Sequence, residues 1–216
     1  MYAKFIKRFL DILISSAAII LVLPVFAVLA LCVRIGMGSP ILFSQRRIGK
    51  DEKAFNLYKF RSMTNAKDSE GNLLPEKERL TNFGIALRSS SLDELPELFS
   101  VLKGDMSLVG PRPLPTYYGP YFLESERVRH SVRGGLIPPD SISGEPTCDW
   151  ETQLKYETYY AENVSFLLDV KVILWTFLIL FKRVKTNYGA DDRPHLNQYR
   201  SEMEIPESEI ERWANL

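Results

Sequence analysis

The chain has 216 residues, a length that suits one domain with appendages and allows a hydrophobic core. It carries 27 basic and 27 acidic residues, and this balance excludes a general electrostatic nucleic-acid binder. The two cysteines do not have the spacing of a metal site. Residues 1–65, however, hold ten Lys and Arg against three Asp and Glu. A basic region beside apolar sequence indicates contact with an anionic membrane surface.

The first element is an apolar run from Phe9 to Val33, long enough to cross a hydrocarbon core of about 30 Å. A cleaved signal peptide, a straight transmembrane helix and a re-entrant helix are the three interpretations. The signal peptide is least favoured, because no small-residue cleavage site follows the run. Pro24 lies within the run and predicts a kink. Lys and Arg, which mark cytoplasmic flanks, stand on both sides, so the pattern favours a helix that returns to its own face.

The residues that follow predict a mostly helical α+β domain. Ile41–Gln45 and Phe55–Phe60 are strand-like and predict a short β-hairpin. Residues 64–77 predict a surface loop, and Glu78–Arg88 predicts a helix.

Two carboxylates, Asp93 and Glu94, stand ahead of a short apolar helix. Ser91 and Glu94 fit a capping box, whereas Pro96 suits a helix that starts near Leu95, and both explanations remain open. In either case the two carboxylates lie at the positive end of a helix dipole. The Lys-Gly pair at 103–104 predicts the end of this helix.

The second half of the chain alternates loops and helices. Residues 134–149 are rich in Gly, Pro and Ser and predict a loop, and Asp149–Asn163 predicts a polar helix. Val164–Phe181 is apolar apart from Asp169 and Lys171, so it is either a core helix or an interfacial amphipathic helix. Pro206–Trp213 predicts one more short helix. The predicted division is a membrane helix at 1–35, a membrane-associated catalytic domain at 36–187 and a polar tail at 188–216.

The carboxylate pair is the best candidate for chemistry. An Asp can attack a phosphoanhydride and form an acyl phosphate, provided that Mg²⁺ and cationic side chains offset the substrate's charge. Arg112 is the most attractive cation, because the prolines on both sides of it stiffen its backbone. The candidate phosphate- and substrate-binding residues are Lys59, Arg61, Arg88, Arg112 and Asp169.

A simpler explanation stands beside each of these assignments. Glu94 could serve only as a cap and Asp93 only as a surface acid near a helix terminus. Asp169 lies in an apolar helical run, where a carboxylate is costly unless it is functional or paired, so an ion pair with an arginine is its structural explanation.

The chain resembles the small monotopic phosphoglycosyl transferases, the bacterial sugar transferase family that starts lipid-linked glycan assembly. The motifs that carry the resemblance are Lys-Arg-Phe-Leu-Asp at 7–11, Pro24, Tyr-Lys-Phe-Arg-Ser-Met at 58–63, Leu-Arg-Ser-Ser-Ser-Leu-Asp-Glu-Leu-Pro-Glu-Leu at 87–98, and Leu-Lys-Gly-Asp-Met-Ser-Leu-Val-Gly-Pro-Arg-Pro at 102–113. The resemblance implies a re-entrant helix kinked at Pro24 and a site on the cytoplasmic face of the bacterial inner membrane, in contact with membrane lipids.

The resemblance also implies a reaction. A sugar-1-phosphate passes from a nucleotide-diphosphate sugar, expected to be a UDP-sugar, to polyprenol (undecaprenyl) phosphate, and a nucleoside monophosphate leaves. Asp93 is the implied nucleophile and Mg²⁺ ligand, and Glu94 is its partner. Asp11 has an implied structural role. No nucleic-acid partner is expected, and whether the chain forms a homodimer is left open.

The chain departs from the family at residues 133–145. Arg133 and Gly135 keep the family frame, but Glu145 stands where the family has an arginine. This loop is the predicted determinant of donor specificity. A catalytically idle membrane scaffold and a membrane-anchored phosphoanhydride hydrolase are the alternative functions.

Overall fold

A computed structural model of the chain describes residues 1–145, 148–183 and 193–216. The helices are α1 (Lys7–Met37), α2 (Glu76–Arg79), α3 (Asn82–Ser89), α4 (Glu97–Lys103), α5 (Trp150–Glu162), α6 (Phe166–Arg183), α7 (Leu196–Tyr199) and α8 (Glu207–Ala214). The strands are β1 (Leu42–Ile48), β2 (Ala54–Phe60), β3 (Met106–Val109) and β4 (Gly134–Ile137). Short 3₁₀ helices connect several of these elements. The predicted α+β, mostly helical character is therefore confirmed.

Helix α1 follows a π-helical turn at Tyr2–Ile6 and continues for 31 residues, about 46 Å at the rise of an α-helix. Pro24 lies inside this continuous helix. In the described part of the chain, it is the one helix long and apolar enough to cross a membrane. The kink at Pro24 and the path of the helix relative to a membrane stay predictions.

Two polar contacts fasten the N-terminal part of α1 to the domain. The Arg8 guanidinium donates to the backbone carbonyls of Val101 and Leu102, at 2.6 and 2.8 Å, where α4 ends. The buried Asp11 carboxylate accepts hydrogen bonds from the Ser107 hydroxyl and the Leu108 amide at the start of β3. The structural role implied for Asp11 is consistent with these contacts.

The C-terminal half of α1 packs against the same domain through apolar side chains. Leu29, Val33 and Met37 are buried with Phe60 of β2 and Leu87 of α3. Other apolar side chains of α1 remain exposed: Phe9, Leu13, Ile20, Leu21, Leu23, Val28, Leu31 and Ile35. One face of the helix thus contacts the domain along its length, and an apolar face is left uncovered.

The predicted hairpin is confirmed, with strands somewhat longer than expected. Strands β1 and β2 pair antiparallel from Leu42↔Phe60 to Ile48↔Ala54. Phe55 and Leu57 are buried on one face of β2, and Phe60, which lies on the opposite face with Asn56 and Tyr58, is buried against α1. Residue 59 therefore lies on the same side of β2 as residues 55 and 57.

The prediction that residues 134–149 form only a loop is wrong at its start. Strand β4 pairs in parallel with β3, with Met106 opposite Gly134 and Ser107 opposite Gly135. A Cβ on Gly135 would lie 2.1 Å from the Gly110 amide nitrogen, so only glycine permits this approach of the two backbones. Glycine is disfavoured in strands, and the pattern therefore concealed β4.

The helix predictions hold with changes at the boundaries. The single helix expected at Glu78–Arg88 is divided into α2 and α3, because Thr81 caps α3 by accepting from the Gly84 amide. Helix α5 begins after Asp149, whose carboxylate accepts from the Thr152 amide. Helix α8 confirms the last predicted element.

Residues 193–216 pack against the rest of the domain. Leu196 of α7 and Trp213 of α8 are buried in a cluster with Tyr118, Trp150 and Leu154. The predicted three-part division stays a prediction, and its boundary at 187/188 lies outside the described residues.

Candidate active site

A reversal of the backbone sets the direction of Asp93 and Glu94. Ser91 takes a left-handed conformation (φ 56°) after α3, and a 3₁₀ turn at Leu92–Glu94 then leads to Pro96, the N-cap of α4. The capping-box explanation is wrong, because Ser91 makes no side-chain cap bond. The alternative, in which Pro96 begins the helix, agrees with the structure. Gly104 ends α4 in the left-handed conformation, as predicted (φ 104°).

Lys59 connects the carboxylates. Its Nζ lies 2.6 Å from Glu94 Oε1 and 3.2 Å from Glu97 Oε1. Arg112 Nη1 approaches the same Glu94 oxygen at 3.7 Å. Glu94 therefore contacts both a lysine from β2 and an arginine from the segment after β3, and Lys59 also acts electrostatically on Asp93.

Burial governs the charge of these carboxyl groups. Asp93 is 8% exposed, and burial followed by the neighbouring Glu94 raises its pKa, while Lys59 and Arg88 act in the opposite direction. Glu97 is 4% exposed, and burial raises its pKa to about 7 despite the attraction of Lys59. Lys59 and Arg88 thus offset only part of the burial that disfavours the charged form of Asp93.

Arg112 has a rigid backbone for a reason that the sequence did not show. Its amide donates to Glu157 Oε1 at 2.9 Å, and its carbonyl accepts from Arg129 Nη2 at 2.7 Å. Arg129 and Glu157 form an ion pair of 2.6 Å, with side chains 1% and 0% exposed. A buried ion pair therefore holds both polar groups of the Arg112 peptide backbone, in addition to the flanking prolines.

The other two predicted cations differ in position. Arg88 donates from Nε to the Ser62 hydroxyl at 2.8 Å and contributes positive potential at Asp93. Arg61 is buried, and its guanidinium donates to the backbone carbonyls of Met37, Pro40 and Met63. Arg61 secures the end of α1 against the hairpin, so its predicted role in phosphate binding gains no support.

Asp169 lies in a buried polar contact between α6 and the N-terminus. Its carboxylate accepts from the hydroxyls of Tyr2 and Tyr160, both at 2.5 Å, and pairs with Lys7 Nζ at 2.7 Å. The ion pair expected from sequence is present, with a lysine in place of an arginine. These contacts favour the structural explanation over substrate binding.

The residues of the predicted specificity loop separate into two kinds. Arg133 donates from Nε to the Gly104 carbonyl at 2.7 Å, and Gly135 permits the approach of β4 to β3. Both support the backbone. Glu145 is exposed beyond the 3₁₀ helix at Pro139–Ser143, and its role in donor specificity stays a prediction.

The donor set fits Mg²⁺ in one particular way. Among the described residues, no group of three or more His, Cys, Asp or Glu could hold a metal ion. Mg²⁺ at phosphate-transfer sites is commonly bound by one or two carboxylates together with substrate phosphates and water. Asp93 supplies hard oxygen donors of this kind, and a donor diphosphate would supply the others.

Sequence reasoning missed two charged residues of this cluster. Glu97 follows Glu94 by three residues, the spacing that places two side chains on one side of a helical turn, so a signal for it was present. Arg47 gave no comparable signal, because it lies in β1 among other polar residues. Its Nη1 donates to the Pro113 carbonyl at 3.2 Å, and burial together with Arg112 lowers its pKa.

The fold and the carboxylate site define the class of protein. Residues 2–183 match the family described as bacterial sugar transferase. The chain belongs to this family, and the resemblance inferred from the motifs is confirmed.

Individual relatives agree with this assignment. The chain is 43% identical over 168 residues to a Bacillus subtilis protein named uncharacterized sugar transferase EpsL, covering 78% of this chain and 81% of that protein. It is 36% identical to the Klebsiella pneumoniae UDP-glucose:undecaprenyl-phosphate glucose-1-phosphate transferase, covering 82% and 39% of the two chains. It is also 36% identical to the Aeromonas hydrophila UDP-N-acetylgalactosamine-undecaprenyl-phosphate N-acetylgalactosaminephosphotransferase, covering 86% and 45%. The chain thus spans less than half the length of these last two relatives.

Proposed function

We propose that this protein transfers a sugar-1-phosphate from a UDP-sugar to undecaprenyl phosphate, as the first membrane step of glycoconjugate assembly. The observation that carries the proposal is the enclosed Asp93–Glu94 pair with Lys59, Arg88 and Arg112 around it. Membership of the bacterial sugar transferase family and the names of the two longer relatives support the same reaction.

The first step is attack by an Asp93 carboxylate oxygen on the sugar-bearing phosphorus of the donor. A bond from oxygen to phosphorus forms, the anhydride bond breaks, and its electron pair leaves with the nucleoside monophosphate. The product is an aspartyl-phosphosugar. In the second step, a phosphate oxygen of undecaprenyl phosphate attacks the same phosphorus. The bond to Asp93 breaks, and the carboxylate is restored.

Cations make this attack feasible, because a carboxylate and a diphosphate repel each other. Lys59 and Arg112 form ion pairs with Glu94, which orients them. Arg88 of α3 contributes positive potential at Asp93. Mg²⁺ held by Asp93 and the donor phosphates would offset further negative charge. The Arg129–Glu157 pair keeps the backbone of Arg112 fixed while this charge develops.

The contacts of α1 support a helix that enters a membrane without crossing it. Its N-terminal part is bonded to α4 and β3 through Arg8 and Asp11, and its C-terminal part packs on β2 and α3. One domain therefore contacts both ends of a helix of about 46 Å, which exceeds a hydrocarbon core of about 30 Å. A straight span would separate these contacts across the membrane.

The proposal is tested with purified protein, Mg²⁺ and a panel of nucleotide sugars, with and without undecaprenyl phosphate. We expect release of nucleoside monophosphate that depends on the acceptor for at least one UDP-sugar. A donor labelled in the sugar should leave a covalent adduct on the protein when the acceptor is omitted. Asp93→Asn should abolish both the adduct and turnover, a loss of at least about a thousandfold for removal of a nucleophile.

The matched control is Asp51→Asn, which changes an exposed carboxylate in the hairpin turn and should leave turnover unchanged. A labelled adduct in Asp93→Asn would exclude Asp93 as the nucleophile. Release without an acceptor would instead indicate a hydrolase, and a protein inert with every donor would indicate a scaffold.

A further inference from the structure

A polar cavity lies beside the hairpin, outside the carboxylate site. Its volume is about 350 Å³. Strands β1 and β2 form one wall and helix α4 with its C-terminal turn forms the other. The polar side chains that line this hairpin cavity are Arg46, Asn56, Tyr58, Ser100, Lys103 and Asp105.

The hairpin cavity is lined from both faces of β2, by Phe55 as well as by Asn56 and Tyr58, but by none of the charged residues assigned to the Asp93 site. Arg46 is opposite Asn56 in the β1–β2 register, and Tyr58 lies two residues further on the same face. Lys59 lies on the other face of β2, where it meets Glu94 and Glu97. A ligand in the hairpin cavity would therefore contact a set of side chains that the proposed transfer reaction does not use.

The lining of the hairpin cavity suits one anionic group. Arg46 and Lys103 provide two positive charges, and Asp105 pairs with Lys103 at 2.8 Å, which leaves one positive charge in excess. Tyr58, Asn56 and Ser100 add hydroxyl and amide donors. Charged and neutral donors directed at one small volume are the usual means of binding a phosphate diester.

The position of the hairpin cavity indicates where such a phosphate would come from. Phe99 lines the cavity, and its ring packs edge-on against Phe26 of α1 at 5.8 Å between centroids. Leu23 of α1 lies beside Phe26 and Phe99 and is exposed. A phosphate in the cavity would thus lie close to the apolar helix that we propose to enter the membrane, and basic side chains beside such helices meet anionic lipid headgroups.

We propose that the hairpin cavity binds the phosphate headgroup of an anionic phospholipid, with Arg46 and Lys103 as its charged ligands. The inference rests on the proposed insertion of α1 in the membrane and not on the transfer reaction. A bound headgroup would fix the depth of the domain at the membrane surface.

The test uses the full chain in dodecyl maltoside micelles, with the backbone amides of Asn56 and Ser100 followed by ¹H–¹⁵N NMR. Dihexanoyl phosphatidylglycerol should produce saturable shifts at both amides, whereas dihexanoyl phosphatidylcholine should not. Arg46→Gln and Lys103→Gln should each weaken this binding about fivefold or more. Lys77→Gln, which removes an exposed lysine of α2, is the matched control and should leave it unchanged.

Asp93→Asn separates this inference from the proposed function, because it should abolish transfer and leave the phosphatidylglycerol response intact. Equal responses to phosphatidylcholine, or equal affinity for inorganic phosphate, would overturn a site for anionic lipid. Displacement of phosphatidylglycerol by a short-chain polyprenyl phosphate would show an acceptor site instead. Unchanged binding in a folded Arg46→Gln protein, or no shift with any lipid, would also refute the proposal.

Discussion

At the scale of single residues, Glu97 is a buried acid beside Lys59, and its burial disfavours the charged carboxylate. Its carboxyl is nearly enclosed, and Glu94 competes for the same ammonium group. Charged Glu97 shares the Lys59 ammonium group with Glu94, while protonated Glu97 leaves Lys59 to Glu94 alone. The protonation state of Glu97 therefore influences the position of the Lys59 ammonium group.

Glu97→Gln should change the dependence of stability on pH. Burial raises the pKa of Glu97 to about 7, so the folded protein holds a proton there that the unfolded chain releases at lower pH. The stability of the wild type therefore falls as the pH rises from the ordinary carboxyl pKa through about 7. Because Gln cannot ionise, the stability of the Glu97→Gln variant does not fall in this way. In thermal unfolding, the melting temperature of Glu97→Gln relative to wild type should rise by several degrees between about pH 5 and about pH 8.

The control for this measurement is Glu78→Gln, which removes an exposed carboxylate of α2. Its melting temperature should follow that of the wild type at each pH. A constant difference between Glu97→Gln and wild type across the pH range would contradict the assigned protonation of Glu97.

At the scale of elements, the parallel pair β3–β4 depends on the close approach of glycines. Gly110 and Gly135 bring two backbones together at the point where the chain turns into the Pro111–Pro113 segment. This contact determines the direction in which Arg112 leaves β3. The backbone that supports Arg112 is therefore determined partly by a strand that begins 22 residues further along the chain, at Gly134.

Gly135→Ala should destabilise the protein by about 1–3 kcal/mol or more, because the added methyl group would meet the Gly110 backbone at 2.1 Å. Denaturant unfolding in micelles measures the change, and activity should fall with it through Arg112. Gly36→Ala is the matched control, since its Cβ would meet nothing within 4 Å near the end of α1. This control should alter stability by about 1 kcal/mol at most. Similar stabilities for the two variants would show that β4 can move away without cost.

At the scale of the whole molecule, the C-terminal segment braces the part of the chain that supports Arg112. Arg200 forms an ion pair with Glu126 at 2.7 Å, and Arg127 pairs with Glu209 of α8 at 3.1 Å. Trp213 is 1% exposed and packs over Gly119. Residues 193–216 follow the stretch that matches the family, yet they contribute to the same core.

Trp213→Ala should cost about 3–5 kcal/mol, the usual loss for a buried tryptophan. At about 2–4 °C per kcal/mol, the melting temperature should fall by roughly 6–20 °C. Ile210→Ala truncates an exposed side chain of the same helix, so this control should leave the melting temperature nearly unchanged. If Trp213→Ala and the wild type have the same melting temperature, α8 does not stabilise the domain.

The proposed topology is tested with single cysteines placed before Phe9 and after Arg34 in a chain with both natural cysteines replaced by serine. In sealed inverted vesicles, a membrane-impermeant maleimide should label both positions at similar rates, because one domain contacts both ends of α1. Labelling of only one position would establish a straight span.

The sequence by itself determined the local elements and the chemistry of the candidate centre. The apolar run, the hairpin, α5 and α8 follow from patterns within short windows, where periodicity and caps act between near neighbours. The Asp93–Glu94 pair was identified through its motif.

Only the tertiary structure decided how the predicted charged residues are paired. Lys59 contacts Glu94 and Glu97. Arg61 donates to backbone carbonyls, and Asp169 pairs with Lys7. Strand β4 and the Arg129–Glu157 support of Arg112 arise from contacts between distant segments, so no local pattern encodes them.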